Sequence, residues 1–415
     1  ISNAKQLSSS PAAKACVAIL NAALEAVNPE KALEEKVRLL GDVLHVDDKR
    51  YDLTKFERVL VVGAGKASGT IAAVLEKMLG NRITKGFLID ITARKLKHIS
   101  VVAGDHPVVS AKNVEYTKKI VRMTSEMSVR DLVICVFSGG GSALFSDPRI
   151  PLDKYQALNK SLLKSGASIQ EFNTVRKHLD SVKGGRFASH LFPATVVTLL
   201  VSDVPGNDPS FIASGPTVHD STSVRDAQHI LAKYKIAQPA FSETPKETFA
   251  KVHNLLFLDN NTAIRAMVKK AQELKLTPIV VSDKMTGEAR EVGLTLLNKL
   301  GKKSAVIAAG ETSVIVKGTG KGGRNQEFVL GSVRALSKMK NTALASIGTD
   351  GRDNSDAAGA IADEHTLALA EKNKLDVETF LKNNDAYPFW KKLEKHIKTG
   401  PTGTNVSDVM VAVRF

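Results

Sequence analysis

Leu132-Val133-Ile134-Cys135-Val136-Phe137-Ser138-Gly139-Gly140-Gly141-Ser142 is the stretch that decides the fold. Six apolar residues in succession, rich in β-branched types, read as a strand buried on both faces. The glycines that follow let the backbone turn tightly and come close to a ligand. Amides of such a turn, continued into a helix N-terminus, form an anion-attracting nest. One glycine would be an ordinary strand-to-helix turn. Three, flanked by the Ser138 and Ser142 hydroxyls, read as a phosphate or carboxylate site.

The same grammar recurs on both sides of that stretch. Apolar runs at 59–62, 87–89, 99–103, 196–201, 255–258, 278–281, 305–309 and 343–347 end in Gly63, Asp90, Gly104-Asp105-His106, Ser202-Asp203, Asp259, Ser282-Asp283, Gly310-Glu311 and Gly348-Thr349-Asp350. Helix-like stretches separate most of them, for example 112–127, 263–273 and 288–300. Strand, polar end and helix, repeated, give an α/β protein with parallel sheets, which bind ligands at the carboxyl ends of their strands. At 415 residues the chain exceeds one core. The expected organisation is a helical lead at 1–55, a Rossmann-like, largely parallel domain at 56–240 and a second α/β domain at 241–415, with a cleft between the two domains. The boundary is set by Gln238-Pro239 and Thr244-Pro245 in a polar stretch.

Composition narrows the function. No stretch is long and apolar enough to cross a membrane, and residues 1–10 lack the basic start and apolar core of a secretory signal. Two cysteines, Cys16 and Cys135, cannot build a disulfide framework, so a reduced, cytoplasmic setting is expected. The net charge of +15 comes from scattered lysines, and aromatics make up only 5% of the chain, which supplies no base-stacking platform for nucleic acid. The charge reads as solvated surface that also draws small anions.

Two further glycine-rich segments carry chemistry. Gly63-Ala64-Gly65-Lys66-Ala67-Ser68-Gly69 opens a helix after the first strand. It approaches the dinucleotide-binding pattern, with Asp90 where a ribose-binding acid would sit, but Ser68 replaces the third glycine. It is not a Walker A loop, because Ala67 stands where Ser or Thr should follow Gly65-Lys66. A lysine beside glycines at a helix start suits a carboxylate or a transferring phosphoryl group as well as an ordinary surface position. In Lys317-Gly318-Thr319-Gly320-Lys321-Gly322-Gly323-Arg324-Asn325-Gln326-Glu327, Arg324 offers bidentate recognition of phosphate or carboxylate at a helix start. Gly322, Gly323 and Asn325 are its companions in anion binding. Asp203, Asp208 and Asp350, at strand ends, are candidate ligands for Mg²⁺, with capping as the competing role. The cluster Arg176-Lys177-His178 with Lys183-Gly184-Gly185-Arg186 reads as a basic patch on a helix, solvated or facing an anion, with Lys183 counted among the anion binders. His106 reads as a turn histidine sooner than a catalytic one. The chain holds no CxxC, no His-x-x-x-His pair and no Gly-x-Ser-x-Gly elbow.

Together these segments resemble the class II glycerate kinases, the glycerate 2-kinase family whose C-terminal part is the MOFRL domain. The resemblance is carried in order by GAGKASG at 63–69, GDHPV at 104–108, FSGGGSALF at 137–145, NTVRKHLDSVKGGRFA at 173–188, SDVPGNDPSFIASGPT at 202–217, AGETSVIVKGTGKGGRNQE at 309–327, GTDGRDNSDAAGAI at 348–361 and PTGTNVSD at 401–408. It departs from the family pattern at Phe137, Phe145 and the loop Asp353-Asn354-Ser355-Asp356. It implies ATP-dependent phosphorylation of D-glycerate at the 2-hydroxyl, with a divalent metal such as Mg²⁺. It places the family's active-site lysine on Lys66 and its arginine on Arg324. Asp203 would then assist the metal or the hydroxyl proton, and Gly63, Gly65 and Ser138 to Ser142 would hold an anionic group. The partners implied are D-glycerate and ATP, with room for a homodimer. Two other readings stay open on the residues alone. One is an NAD(P)-dependent hydroxypyruvate or 2-hydroxyacid reductase, suggested by the Gly63 turn and Asp90. The other is a non-catalytic anion or nucleotide sensor.

Overall fold

The run at 131–137 forms a strand in which every residue is buried, as a strand covered on both faces must be. The computed structural model describes residues 1–204, 206–246 and 249–415. Pro205 of the SDVPGNDP motif, Glu247 and Thr248 lie outside the described residues. The strands are β1 (Val37–Leu40), β2 (Val43–Val46), β3 (Lys49–Asp52), β4 (Arg58–Ala64), β5 (Lys85–Asp90), β6 (Arg94–Lys95), β7 (Ile99–Ala103), β8 (Asp131–Phe137), β9 (Thr195–Val201), β10 (Val252–Leu258), β11 (Thr277–Met285), β12 (Ser304–Gly310), β13 (Thr342–Gly348), β14 (Gly359–Asp363), β15 (His396–Ile397) and β16 (Asp408–Arg414). The chain divides into one unit of Pro29–Leu258 and another of Ile1–Asn28 with Asp259–Phe415.

In the first of these units the sheet order is β10-β9-β8-β4-β5-β7-β6. All its ladders are parallel except that of β6 with β7. Counting the parallel strands in chain order gives the doubly wound order 3-2-1-4-5-6, whose direction of winding reverses between β4 and β8. Ligands of open α/β sheets bind in the crevice at that switch point. The glycine loops that begin at Gly63 and Ser138 leave these two strands. Under them Phe137, Phe145 and Phe187 pack with ring centroids 5.0 to 6.5 Å apart, which accounts for the large aromatics at two of the departures from the family pattern.

The opening 55 residues are not a helical lead throughout. Helices Pro11–Ala26 and Pro29–Lys36 form, but 37–52 is a three-stranded antiparallel sheet, β1-β2-β3. Leu40 pairs with Val43 across Gly41-Asp42, and Val46 pairs with Lys49 across Asp47-Asp48. Both two-residue turns begin in the left-handed region, with φ of 62° at Gly41 and 51° at Asp47, as tight hairpins require. The Pro11–Ala26 helix belongs to the other unit and packs on β16 and β13. The units divide at Leu258 rather than near 240, because β10 completes the parallel sheet beside β9.

The second unit has sheet order β11-β12-β16-β13-β14-β15. Here the parallel expectation fails beyond β11–β12. The last strand of the chain, β16, lies between β12 and β13 and is antiparallel to both. Helix Arg324–Leu336 covers this sheet with Phe328, Val329, Val333 and Leu336, all fully buried. Among the described residues no helix is long and apolar enough to cross a membrane.

Helix Ile169–Lys177 borders the switch point and is fixed at its start by a capping box between Ser168 and Glu171. The Glu171 carboxylate also accepts from Lys233 Nζ at 2.7 Å and Tyr234 Oη at 2.8 Å. The Lys233 bond, then the Ser168 amide and the Tyr234 hydroxyl, hold its pKa down to about 2. The folded value lies below the unfolded one near 4.3. The stabilisation is therefore complete above that value and is lost as pH falls towards 2. Glu171→Gln is expected to lower stability at pH 7 by about 1 kcal/mol, with the difference from the parent closing by pH 2 in denaturant titrations.

Candidate active site

At the switch point the two glycine loops interlock. Lys66 N–H donates to the Gly139 carbonyl at 2.9 Å, and Ala67 N–H to Ser138 Oγ at 3.1 Å. Gly63 and Gly65 have φ of 150° and 140°, and side chains there would collide with the Val136 backbone and with Ser138. Their glycines are thus demanded by the close approach of the two turns. Gly140 is left-handed, with φ of 82°, and the N–H groups of Gly139 and Gly140 make no hydrogen bond with a described residue. A Cβ on Gly140 would lie 3.2 Å from Lys66 Cγ and 3.1 Å from His106 Cδ2, while one on Gly139 would strike the Asp203 carboxylate. Two open amides, a lysine, an imidazole and a carboxylate therefore share one spot. The Lys66 ammonium has no ion pair or hydrogen bond among the described residues. Burial, then the Lys66 charge, hold the His106 pKa below its ordinary value, so the ring is neutral at pH 7.

The spot opens into a cavity of about 220 Å³ lined by His106, Gly139, Gly140, Asn173, Arg176 and Asp203 among others. Ser142 Oγ lies 2.9 Å from Ser214 Oγ, which donates to Asn173 Oδ1 at 2.7 Å. Ala213, which also lines the cavity, and Ser214 are non-glycine residues with φ of 51° and 63°. Strain of this kind persists only where its surroundings impose it.

In the other unit, the glycine-rich segment before Arg324 is read differently by the structure. The Asp353 carboxylate accepts from the Asn325 and Gln326 N–H groups at 3.2 and 2.9 Å and from Gln326 Nε2 at 3.0 Å. The first turn of helix Arg324–Leu336 thus already has its anion, and Gly323 is a glycine because a Cβ would strike Asp353. Arg324 donates through Nε and Nη2 to Asp408 at 2.5 and 3.1 Å and through Nη1 to Glu311 at 2.6 Å. Burial pushes the Asp408 carboxyl up to about 6 against the pull of Arg324. Burial opposes the Arg324 charge in turn, but Asp408 outweighs it and holds that pKa above the usual arginine value. Both groups are charged at neutral pH. Arg324 and Glu311 border a cavity of about 630 Å³ whose other walls include Gly322, Asp350 and Asn384.

Residues 15–246 match a family described as a domain of unknown function, DUF4147, and residues 304–408 match the MOFRL family. The D-glycerate 2-kinase of Thermotoga maritima is 35% identical over 96% of this chain and 98% of its own length. The glycerate kinase crystal structure from the same organism superimposes with a TM-score of 0.86, covering 96% of this chain and 98% of that one at 36% identity. The chain belongs to the glycerate kinase family of the MOFRL type. A relative in Agrobacterium vitis, provisionally named a hydroxypyruvate reductase, is 36% identical over 85% of the chain.

Within this glycerate kinase framework several residues read as ligand contacts prove to be scaffolding. Lys183 is fully buried, and its ammonium donates to the carbonyls of Ser142 and Phe145 at 2.9 and 2.6 Å, which fixes the glycine loop from below. Burial pushes its pKa down to about 8. Asn325 is buried between Asp353 and Ser346, so it faces the core and not a ligand. The basic patch at 176–186 is not one solvated helix. Helix Ile169–Lys177 ends there, and Lys177 is buried 3.3 Å from Asp220. Among the described residues no three His, Cys, Asp or Glu side chains form a metal-binding group, and Asp208 is an exposed cap on Ser210 N–H at 2.8 Å. His106 and Asn173 are site residues that pattern reading passed over. The signal for Asn173 was its spacing of three from Arg176 on one helix face.

Proposed function

We propose that this chain transfers the γ-phosphoryl group of ATP to the 2-hydroxyl of D-glycerate, giving 2-phosphoglycerate and ADP. The observation that carries this reading is the meeting of Lys66, the open Gly139 and Gly140 amides, and Asp203 at the switch point of a doubly wound sheet. Phosphoryl transfer asks chiefly for positioning and for positive charge around the transferring group, and this spot supplies both. The hydroxyl oxygen of glycerate forms the new bond to phosphorus as the bond to the departing ADP oxygen breaks. Lys66 and the two amides face the charge on the phosphoryl oxygens. Asp203, lying on Gly139, receives the hydroxyl proton. Gly63, Gly65, Ser138, Gly141 and Ser142 shape and fix the loops that present these groups.

Arg324 belongs to the proposal as a positioned cation in a cavity large enough for a nucleotide, with Gly322 and Gly323 in its wall. Mg²⁺ belongs to it as well, neutralising phosphate charge when bound. That ion is commonly held by one or two carboxylates plus substrate phosphates. Asp350, whose Oδ1 accepts the Arg352 N–H at 3.0 Å, fits such a role, and Asp203 is its counterpart at the other spot. A cytoplasmic location and a homodimer complete the proposal.

Against the reductase reading stands Asp90. Its carboxylate accepts the Gly69 and Ile91 N–H groups at 2.8 and 2.6 Å, which leaves it tied to the helix start and not to a ribose. The Ser68 hydroxyl, where a third glycine would sit, donates to the Gly65 carbonyl at 2.7 Å. Incubation with glycerate and MgATP, and separately with hydroxypyruvate and NADH, tests the choice. ADP formation in the first mixture and no NADH consumption in the second is expected. The reverse would overturn the proposal.

A further inference from the structure

The wall of the cavity beside the glycine loop carries a cation, Arg176, that has no ion pair among the described residues. Arg176 lies in the last turn of helix Ile169–Lys177, on the same face as Ile169 and Asn173, and all three line the cavity. Its guanidinium carbon sits 3.9 Å from the centroid of the Phe172 ring, and its Nε donates to Asn159 Oδ1 at 3.2 Å. Stacking and the Nε bond fix the plane of the fork. Neither Nη group has a hydrogen bond or ion pair with a described residue. The buried acid Asp180 is already engaged by Ser146 Oγ, by the Asp147 and Val182 amides and by Lys183. Arg324 offers the contrast, since two carboxylates hold it.

A half-buried arginine with a fixed plane and two idle Nη groups is built to receive a planar anion bidentately. Among the described residues, Arg176 is the only Lys or Arg on the cavity wall, and Asp203 the only carboxylate. A ligand that complements this wall carries one carboxylate at one end and a hydroxyl at the other. The cavity, at about 220 Å³, falls below the roughly 300 Å³ at which sites for drug-sized ligands begin, which suits a three-carbon acid and not a nucleotide. From this geometry we infer that Arg176 binds the carboxylate of the acceptor acid, making it the residue that selects glycerate over uncharged polyols and amides. The inference rests on the kinase reading for the identity of the acid, but its binding step can be measured apart from turnover.

The test uses the full chain and two variants, Arg176→Gln and Arg176→Lys. Calorimetric titration with D-glycerate alone reads binding. Steady-state kinetics with D-glycerate and with D-glyceramide read selectivity. In Arg176→Gln, the KM for glycerate should rise about a hundredfold, the KM for ATP should stay unchanged, and the preference for glycerate over glyceramide should collapse. Arg176→Lys keeps the charge but loses the fork, and its glycerate KM should rise about tenfold. It carries the test if the glutamine variant does not fold. A purely structural role would lower the active fraction without moving the glycerate-to-glyceramide ratio, and an unchanged ratio overturns the inference. So does glycerate binding of equal strength in parent and variants. If the parent binds glycerate through Arg176 but does not phosphorylate it, the kinase reading fails while this one stands.

Discussion

Lys66→Ala is expected to lower kcat by about 10³-fold with a modest change in KM, as loss of a positioned charge at a transition state does. The backbone of Lys66 is pinned by its N–H bond to Gly139, and its stem lies along Gly140. Its ammonium is therefore placed by structure and not tied up by an acid. The same substitution has a second, independent readout. The Lys66 charge helps to hold the His106 pKa down, though burial is the larger cause. Removing the charge should raise the His106 midpoint in an NMR titration while leaving it below an exposed histidine. Near-normal turnover together with an unmoved His106 midpoint would show that Lys66 does not stand where the mechanism needs it.

Asp353→Ala is expected to destabilise the protein by about 3 kcal/mol and to reduce activity with it. Its buried carboxylate takes two first-turn amides of the Arg324–Leu336 helix and the side-chain amide of buried Gln326. Alanine would leave the two first-turn amides without that partner, while the Gln326 side-chain amide keeps the Asp353 carbonyl and Ser355 Oγ, and each buried orphan costs about 1–3 kcal/mol. Arg324 is the first residue of that helix, so its grip on Asp408 and Glu311 would loosen as well. Denaturant titration reads the first effect, and kcat/KM at a temperature where the variant stays folded reads the second. Asp353→Asn, which keeps one acceptor oxygen, should fall between. An unchanged denaturation midpoint in the alanine variant would contradict the capping role.

Much of the parallel sheet was legible because each strand is a buried apolar run that ends at a glycine or acid. Such runs have a local signature. The 37–52 hairpins were missed because their strands are only four residues long and the first begins directly after helix Pro29–Lys36. The place of β16 between β12 and β13 is a non-local pairing, and no pattern within 408–414 announces it. At the site, the loops could be read from their glycines, but the job of each polar residue could not. Lys183 and Asn325 carry the residue types of ligand contacts and serve as internal struts, a distinction that depends on which carbonyls and carboxylates the fold brings to them. Arg176 shows the reverse. A basic run looks like solvated surface until the fold buries Lys177 against Asp220 and leaves its neighbour on a cavity wall without an ion pair among the described residues.

The identity of the product tests the central claim most directly. Phosphorus NMR of the reaction of the purified protein with D-glycerate and MgATP should show 2-phosphoglycerate accumulating as ADP forms. Resonances of 3-phosphoglycerate, or ATP left intact beside unreacted glycerate, would contradict it.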